Sequence, residues 1–161
     1  GLPMSWRAVL GASRGRGDEQ ILTMGAILFV AFSFWLMIAH GIFAVFMADA
    51  GVGKEGLELF LSGAGLAMLV VGTIAGALIA LAFYAITVIS LPLLVDRDLD
   101  FVTAIIVSLA TVRSNTVVMT IWAAIIAVSL FVAMLPLFLG LLVVLPVLGH
   151  ATWHLYRRVV V

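Results

Sequence analysis

The sequence predicts an all-α membrane protein with four transmembrane helices. Of its 161 residues, 65% are apolar and only 10% are charged, which is far from the composition of a soluble domain. Uncharged stretches cover residues 21–48 and 59–95, and each exceeds the ~20 residues that cross ~30 Å of hydrocarbon. A third stretch, 116–156, is long enough for two spans. Pro136 and Gly140 near its middle favour a hairpin there.

The distribution of basic residues favours four spans over three. Because Lys and Arg accumulate in cytoplasmic segments, the preferred topology is the one that collects most of them on one side. Three spans give five basic residues against three, whereas four spans leave Lys54 opposite seven: Arg7, Arg14, Arg16, Arg97, Arg113, Arg157 and Arg158. We therefore expect both termini to be cytoplasmic. The predicted single transmembrane domain, residues 1–161, has spans at about 21–48, 59–95, 116–135 and 137–156.

Polar segments separate the predicted spans. Residues 1–20 form an interfacial N-terminal segment, and its closing Gly-Asp-Glu triplet starts the first span with acids in the first turn. Residues 49–58 are polar and glycine-rich, which indicates a loop, and Pro92 predicts the end of the second span. Ser114 and Asn115 can cap the third span.

An amphipathic helix is predicted between the second and third spans, over about residues 98–113. Asp98 can cap it. Its apolar residues follow the i, i+3, i+4 spacing of one helix face, namely Val102, Ile105, Ile106, Leu109 and Val112. Such a helix is suited to lying in the membrane interface.

The order of amphipathic segment, polar break and span occurs twice. A shift of 96 residues aligns 7–35 with 103–131, with few identities. As a repeat, the two units would be parallel, because both begin on the same side of the membrane, and each would be an interfacial helix plus a two-helix hairpin. Generic hydropathy produces the same match, so the sequence leaves both interpretations open.

Small residues form a packing face on the second span. Gly72, Gly76 and Ala80 follow one another at four-residue steps, and Gly65 lies two turns earlier on the same face. Small side chains at this spacing let helix backbones approach closely, within one chain or between chains. Packing within the chain is the simpler of these two interpretations.

The C-terminal stretch GHATWHLYRR allows a metal site or a membrane-surface anchor. His150 and His154 share one helix face, so they cannot hold the two faces of one haem, and no carboxylate beside them in the helix completes a metal site. The aromatic residues suit the membrane interface, and the arginines suit lipid phosphates. We favour the anchor. Lipid or partner contacts are expected at Arg97, Arg113, His150, Trp153, His154, Tyr156, Arg157 and Arg158.

Composition also excludes several function classes. The formal net charge is zero, so no nucleic-acid partner is expected, and the absence of cysteine removes thiolate-bound zinc and iron–sulfur clusters. The front of the chain does not have the order of segments typical of a signal peptide. Histidines are the ionisable residues within the spans, and no phosphate loop or nucleophile elbow occurs. We expect no catalytic residue, no cofactor, no metal and no enzymatic activity.

The sequence resembles a known family in two stretches and at one residue between them. These are SLPLLVDRDLDFVTAIIVSLATVRSN, LLVVLPVLGHATWHLYRR and Trp122. The family is an uncharacterised group of largely proteobacterial integral membrane proteins, a domain of unknown function, some of whose members are labelled cytochrome c oxidase subunits. The resemblance covers nearly the whole chain and is most specific at residues 92–100 and 149–157. It implies a multi-span inner-membrane protein with a link to respiratory oxidases, and it brings no catalytic residues.

The leading hypothesis is a non-catalytic accessory subunit or assembly partner of a larger bioenergetic complex in the bacterial inner membrane, most plausibly a respiratory cytochrome c oxidase. Its partners would be other integral-membrane subunits and anionic phospholipids. The alternative is a small homo-oligomeric channel or permease in which His40 lies along the path. A third hypothesis, a haem or metal protein that uses His150 and His154, predicts a chromophore or a bound metal.

Overall fold

The computed structural model describes residues 17–48 and 57–160, and every regular element within these ranges is a helix. We number the helices in chain order: α1 (Gly17–Met47), α2 (Leu57–Leu61), α3 (Gly63–Thr87), α4 (Ser90–Asp96), α5 (Phe101–Ser114), α6 (Thr116–Met134) and α7 (Leu141–Val160). The predicted all-α membrane class is confirmed. The interfacial segment expected over residues 1–20 lies mostly outside the described residues.

Three helical stretches in the described ranges are long and apolar enough to cross a membrane. They are Glu19–Met47, Gly63–Asp96 and Thr116–Met134, and the second comprises α3 and α4 together. The shorter α5 is also apolar. Helix α7 has 20 residues, but histidines and arginines occupy its second half, so it does not join these three by composition. The fourth span and the repeat therefore stay predictions.

The second apolar stretch consists of two successive helices with a break between them. Helix α3 ends at Thr87, a turn follows at residues 88–89, and α4 begins at Ser90. Pro92 accounts for this position, because a proline ring clashes with the carbonyl four residues earlier, here that of Val88. Pro92 itself lies in the first turn of α4, where a missing N–H removes no helical hydrogen bond.

The cap of α5 differs from the prediction. Asp100 is the N-cap residue, not Asp98, and the helix begins at Phe101. The Asp100 carboxylate accepts hydrogen bonds from the Thr103 N–H at 2.8 Å and from the Thr103 hydroxyl at 2.7 Å. A threonine three residues after the aspartate supplies both donors, and this explains the two-residue shift. The Phe101 N–H donates to Gln20 Oε1 at 3.1 Å.

A tight turn over residues 135–140 joins α6 to α7, where Pro136 and Gly140 predict a hairpin. Leu137 and Phe138 have φ values of 52° and 65°, in the left-handed region that costs a residue with a side chain ~1–2 kcal/mol. Gly140 lies directly against α6, since a Cβ atom there would be 2.7 Å from both the Cα and the carbonyl oxygen of Ala133. The turn therefore requires glycine at residue 140.

The described chain divides into two compact units. In the first, residues 17–24 and 84–160, α4 packs on α5 and α7, and α6 packs on the same two helices. Its core is small and is formed chiefly by Met24, Ile89, Leu93, Leu94, Ala104, Met119, Ala133 and Tyr156. The second unit, within residues 25–83, buries Met47, Gly65 and Met68.

Candidate functional site

The break between α3 and α4 contains a hydroxyl group from a third helix. In an uninterrupted helix the Ile89 N–H would donate to the Ala85 carbonyl, four residues earlier. Instead, Ser108 Oγ of α5 accepts from the Ile89 N–H at 3.3 Å and donates to the Ala85 carbonyl at 2.7 Å. Ser108 is fully buried. Both backbone groups are therefore satisfied without water, and the inserted side chain stabilises the break that Pro92 positions.

Two tyrosine hydroxyls form hydrogen bonds between this broken segment and neighbouring helices. Tyr84, in the last turn of α3, donates to the Met119 carbonyl of α6 at 2.9 Å. Tyr156 of α7 is fully buried and donates to Asp96 Oδ2, at the end of α4, at 2.7 Å. The Arg97 Nε lies 3.9 Å from the same carboxylate oxygen. These two hydrogen bonds thus fix α6 and α7 on either side of the break.

A groove of about 590 Å³ lies between the broken segment, α6 and α7, which we call the α4–α7 groove. Its walls are apolar for most of their length. They include Pro92, Val95, Ile126, Leu130, Leu145 and Leu148, and Gly149 forms part of the α7 wall. Thr152 and Trp153 lie at the end closest in sequence to the C-terminal arginines. This arrangement is suited to binding an apolar molecule with a polar end.

The predicted contact residues of α7 fall into two groups. His150, His154, Arg157 and Arg158 are exposed, and Trp153 is half-buried in the wall of the α4–α7 groove. Tyr156 differs from the prediction of a lipid or partner contact, because its whole side chain is buried and its hydroxyl is used by Asp96. A tyrosine has an apolar ring and one polar atom, and this combination suggested the membrane interface. The same combination is suited to a protein core that offers one hydrogen-bond acceptor for the hydroxyl.

His150 and His154 lie on one face of α7, as their four-residue spacing predicts. The rings of His150 and His154 meet edge to face, with centroids 6.0 Å apart and an interplanar angle of 78°. His40 is exposed on α1, and its Nδ1 lies 2.7 Å from the Leu36 carbonyl oxygen of its own helix. Within residues 17–48 and 57–160 there is no group of three or more His, Cys, Asp or Glu side chains that could hold a metal.

The other two predicted arginines, Arg97 and Arg113, are both exposed. Arg113 lies in the last turn of α5, where a cation interacts favourably with the helix dipole. Asn115 was expected to cap α6, but its amide group donates to the Thr111 carbonyl and to Ser114 Oγ, so it completes the end of α5 instead. No side-chain cap is present on α6.

Only some residues of the small-residue face of α3 pack against other parts of the second unit. Gly65 is buried against the backbone of Leu59 and Phe60, and Gly76 lies under the Trp35 ring. Gly72 has no neighbour where its Cβ would be, and Ala80 is exposed. Gly72 instead forms part of an apolar groove of about 340 Å³, lined also by Trp35, Phe43 and Met68, which we call the α1–α3 groove.

Sequence reasoning missed the residues that organise this region, namely Ser108, Tyr84 and Asp96. Ser108 belongs to the helix predicted to be amphipathic, and it lies on the buried side of α5 with Ala104 and Thr111. The spacing of these three residues, four and then three, is the signal that could have shown a small and polar packing face.

The described part of the chain is a helical integral membrane protein, because its three long apolar helices match the length and composition of membrane spans. The chain belongs to the family described as Predicted integral membrane protein (DUF2189), a domain of unknown function, whose model matches residues 1–96. Of the two most specific stretches of the resemblance, residues 149–157 therefore lie outside the match, and residues 92–100 are matched only as far as 96. No curated protein and no solved structure matches the chain.

Proposed function

We propose that this protein is a non-catalytic accessory subunit or assembly partner of a larger membrane complex. The observation that carries the proposal is the small amount of apolar surface that the spans bury. In the most apolar window of each long helix, between 0 and 11% of the residues are buried. Transmembrane helices associate through close van der Waals packing, so extensive unburied helix surface supports a role in binding other membrane helices.

The α1–α3 groove is the proposed contact for a partner helix. Its wall combines the unoccupied position at Gly72 with the aromatic rings of Trp35 and Phe43. A glycine beside bulky side chains lets a second backbone approach closely. Gly72 is therefore the residue at which recognition of a partner can be blocked most directly.

We further propose that the complex is a respiratory terminal oxidase of the bacterial inner membrane. This assignment rests on the resemblance to the family described above. Some members of that family are labelled cytochrome c oxidase subunits. The proposed topology has four spans, with α7 as the fourth and both termini in the cytoplasm, because that arrangement collects seven of the eight basic residues on one side. A parallel repeat of two units is compatible with this topology.

The experiment is a mild-detergent purification of the tagged chain from native membranes, followed by mass spectrometry and a visible absorption spectrum. We expect oxidase subunits and haem absorbance in the eluate. The variant Gly72→Leu is expected to lose these partners, whereas Gly25→Leu retains them. Both glycines have open space where a Cβ would lie, so the first carbon added at either residue meets no neighbouring atom. Purification of the unmodified chain alone and colourless would overturn the proposal.

The alternative function is a small homo-oligomeric channel or permease. The observation that favours it is the exposure of His40 on α1, since ionisable side chains within spans usually face a bundle interior or a water-filled path. Flux through liposomes that contain the purified chain, and loss of this flux in His40→Ala, would support the alternative. Flux that is unchanged in the variant would leave His40 without a role in permeation.

A further inference from the structure

We propose that the α4–α7 groove binds one anionic phospholipid, with an acyl chain between α4, α6 and α7 and the phosphate at Arg157. This inference goes beyond the proposed function and rests on it only for the insertion of the chain in a membrane. It does not depend on the identity of the partner complex.

The depth of the groove supports an acyl chain. Two of its walls belong to helical stretches that are apolar enough to cross a membrane, Gly63–Asp96 and Thr116–Met134. At ~1.5 Å per residue, Ile126 and Leu130 lie ~15 and ~21 Å along α6 from Thr116. The groove therefore extends from the membrane surface into the hydrocarbon region, where the surrounding solvent is lipid.

The volume of the groove is sufficient for an acyl chain. A methylene group occupies about as much space as a water molecule in the liquid, ~30 Å³, so the groove accommodates roughly 20 of them.

The charge at one end of the groove fits a phosphate group. Gly149 and Trp153 line the α7 wall, and Arg157 follows them at the next four-residue step of the same helix face. Arg157 is exposed, and it lies in the last turn of α7. An arginine at the headgroup level can form a bidentate pair with a phosphate, and this is the group that the outer end of a bound phospholipid presents.

The neighbouring arginine supplies a matched control. Arg158 has the same charge and the same exposure, but it lies ~100° further around the helix, away from the Gly149 face. Gly149 supplies a second, independent variant, because a Cβ atom there would meet nothing within 4 Å and a leucine side chain can extend into the groove. Gly41→Leu on α1 is the control for this change, since Gly41 also has open space around it.

The test uses the full chain reconstituted with equal parts of phosphatidylglycerol and phosphatidylethanolamine, then extracted in mild detergent and analysed by native mass spectrometry. We expect the unmodified chain to retain one phosphatidylglycerol. Retention should fall about fivefold in Arg157→Gln, as one cation near the headgroups is lost, and about tenfold in Gly149→Leu, as buried methylenes are displaced. Arg158→Gln and Gly41→Leu should retain the lipid as the unmodified chain does.

Equal retention in all five proteins would overturn the lipid site. Loss of a partner complex in Gly149→Leu without any change in lipid retention would also overturn it, because the groove would then hold protein. Lipid retention is measured on the isolated chain, whereas the accessory-subunit proposal is tested by co-purification from native membranes. Failure of one proposal is therefore distinguishable from failure of the other.

Discussion

At the scale of single residues, three hydroxyl groups of the first unit connect helices that are separate in the sequence. Ser108 bridges the two ends of a broken helical hydrogen bond, Tyr84 reaches the backbone of α6, and Tyr156 reaches the carboxylate that ends α4. In a protein surrounded by lipid, an unsatisfied backbone group costs more than it does in water, so these contacts determine where the chain can depart from a regular helix.

Substitution of Ser108 by alanine should destabilise the first unit. The Ile89 N–H and the Ala85 carbonyl would both lose their partner in a buried position, which costs about 1–3 kcal/mol. Thermal unfolding in detergent measures the change. Ser33→Ala is the control, because the Ser33 hydroxyl bonds only to the Phe29 carbonyl of its own helix. Equal unfolding temperatures for the two variants would contradict the bridging role of Ser108.

At the scale of the elements, helix ends are determined by short-range chemistry that differs from one end to the next. Asp100 begins α5 with two hydrogen bonds to Thr103, while the close contact of Gly140 with Ala133 allows α7 to return along α6. The first contact involves an ionisable group and the second depends on the absence of a side chain. They therefore respond to different perturbations.

The cap of α5 should weaken in acid. Hydrogen bonds from Thr103 hold the pKa of Asp100 below its usual value, so the stability that the carboxylate contributes is present above ~3.9, the pKa of an unfolded aspartate, and is lost as the pH falls through the lower folded value. Asn at the N-cap keeps an acceptor but does not titrate. We expect Asp100→Asn to reduce the acid-dependent loss of stability, measured by unfolding as a function of pH.

The exposed Asp98 is the control for this titration, since Asp98→Asn removes a nearby carboxylate that is not the cap. Its pH profile should follow that of the unmodified chain. A profile in which Asp98→Asn and Asp100→Asn behave alike would show that acid acts through the net charge of the segment and not through the cap.

Alanine at residue 140 should disrupt the α6–α7 turn. The added Cβ would be 2.7 Å from backbone atoms of Ala133, which cannot move as a flexible side chain can, so we expect a loss of about 1–3 kcal/mol. Thermal unfolding of the purified chain provides the measurement. Gly149→Ala adds the same atom in open space on α7, and it should be neutral or stabilising because alanine favours the helix.

The sequence predicts elements with a strong local signal and fails where distant residues interact. Hydropathy predicted the apolar stretches, and Pro136 with Gly140 predicted the turn before α7. The hydroxyl that bridges the helix break at residues 88–89 comes from Ser108, about twenty residues away, and the burial of Tyr156 depends on Asp96 in another helix. Local patterns carry no information on such pairings, so Asp98 was chosen as the cap and Tyr156 as a surface residue.

At the scale of the whole molecule, the topology depends on one helix of mixed character. The first eight residues of α7 are apolar, apart from Pro146, and the rest contain His150, His154 and two arginines. The amphipathic second half can lie at the headgroup level while the first half continues into the hydrocarbon region. The four-span proposal requires the turn before α7 to reach the opposite side of the membrane from α5.

Cysteine scanning can test this topology directly, because the chain contains no cysteine of its own. We expect Ser114→Cys to react with an impermeant maleimide only from the cytoplasmic side and Lys54→Cys only from the opposite side. Leu137→Cys, at the tip of the turn, should be protected from the cytoplasmic side. Reaction of residues 54 and 114 from the same side would contradict the proposed order of spans.

The hydroxyl within the α3–α4 break also has a consequence for biogenesis. Residues 63–96 form an apolar stretch of 34 residues, ~51 Å long as a straight helix, and they are synthesised before Ser108. Until Ser108 arrives, the Ile89 N–H has only the Ala85 carbonyl to bond within its own helix. Pro92 already interrupts the nascent segment, but the Ile89 N–H and the Ala85 carbonyl obtain the hydroxyl that bridges them only once α5 docks. Maturation of this segment thus follows the synthesis of α5 and cannot precede it.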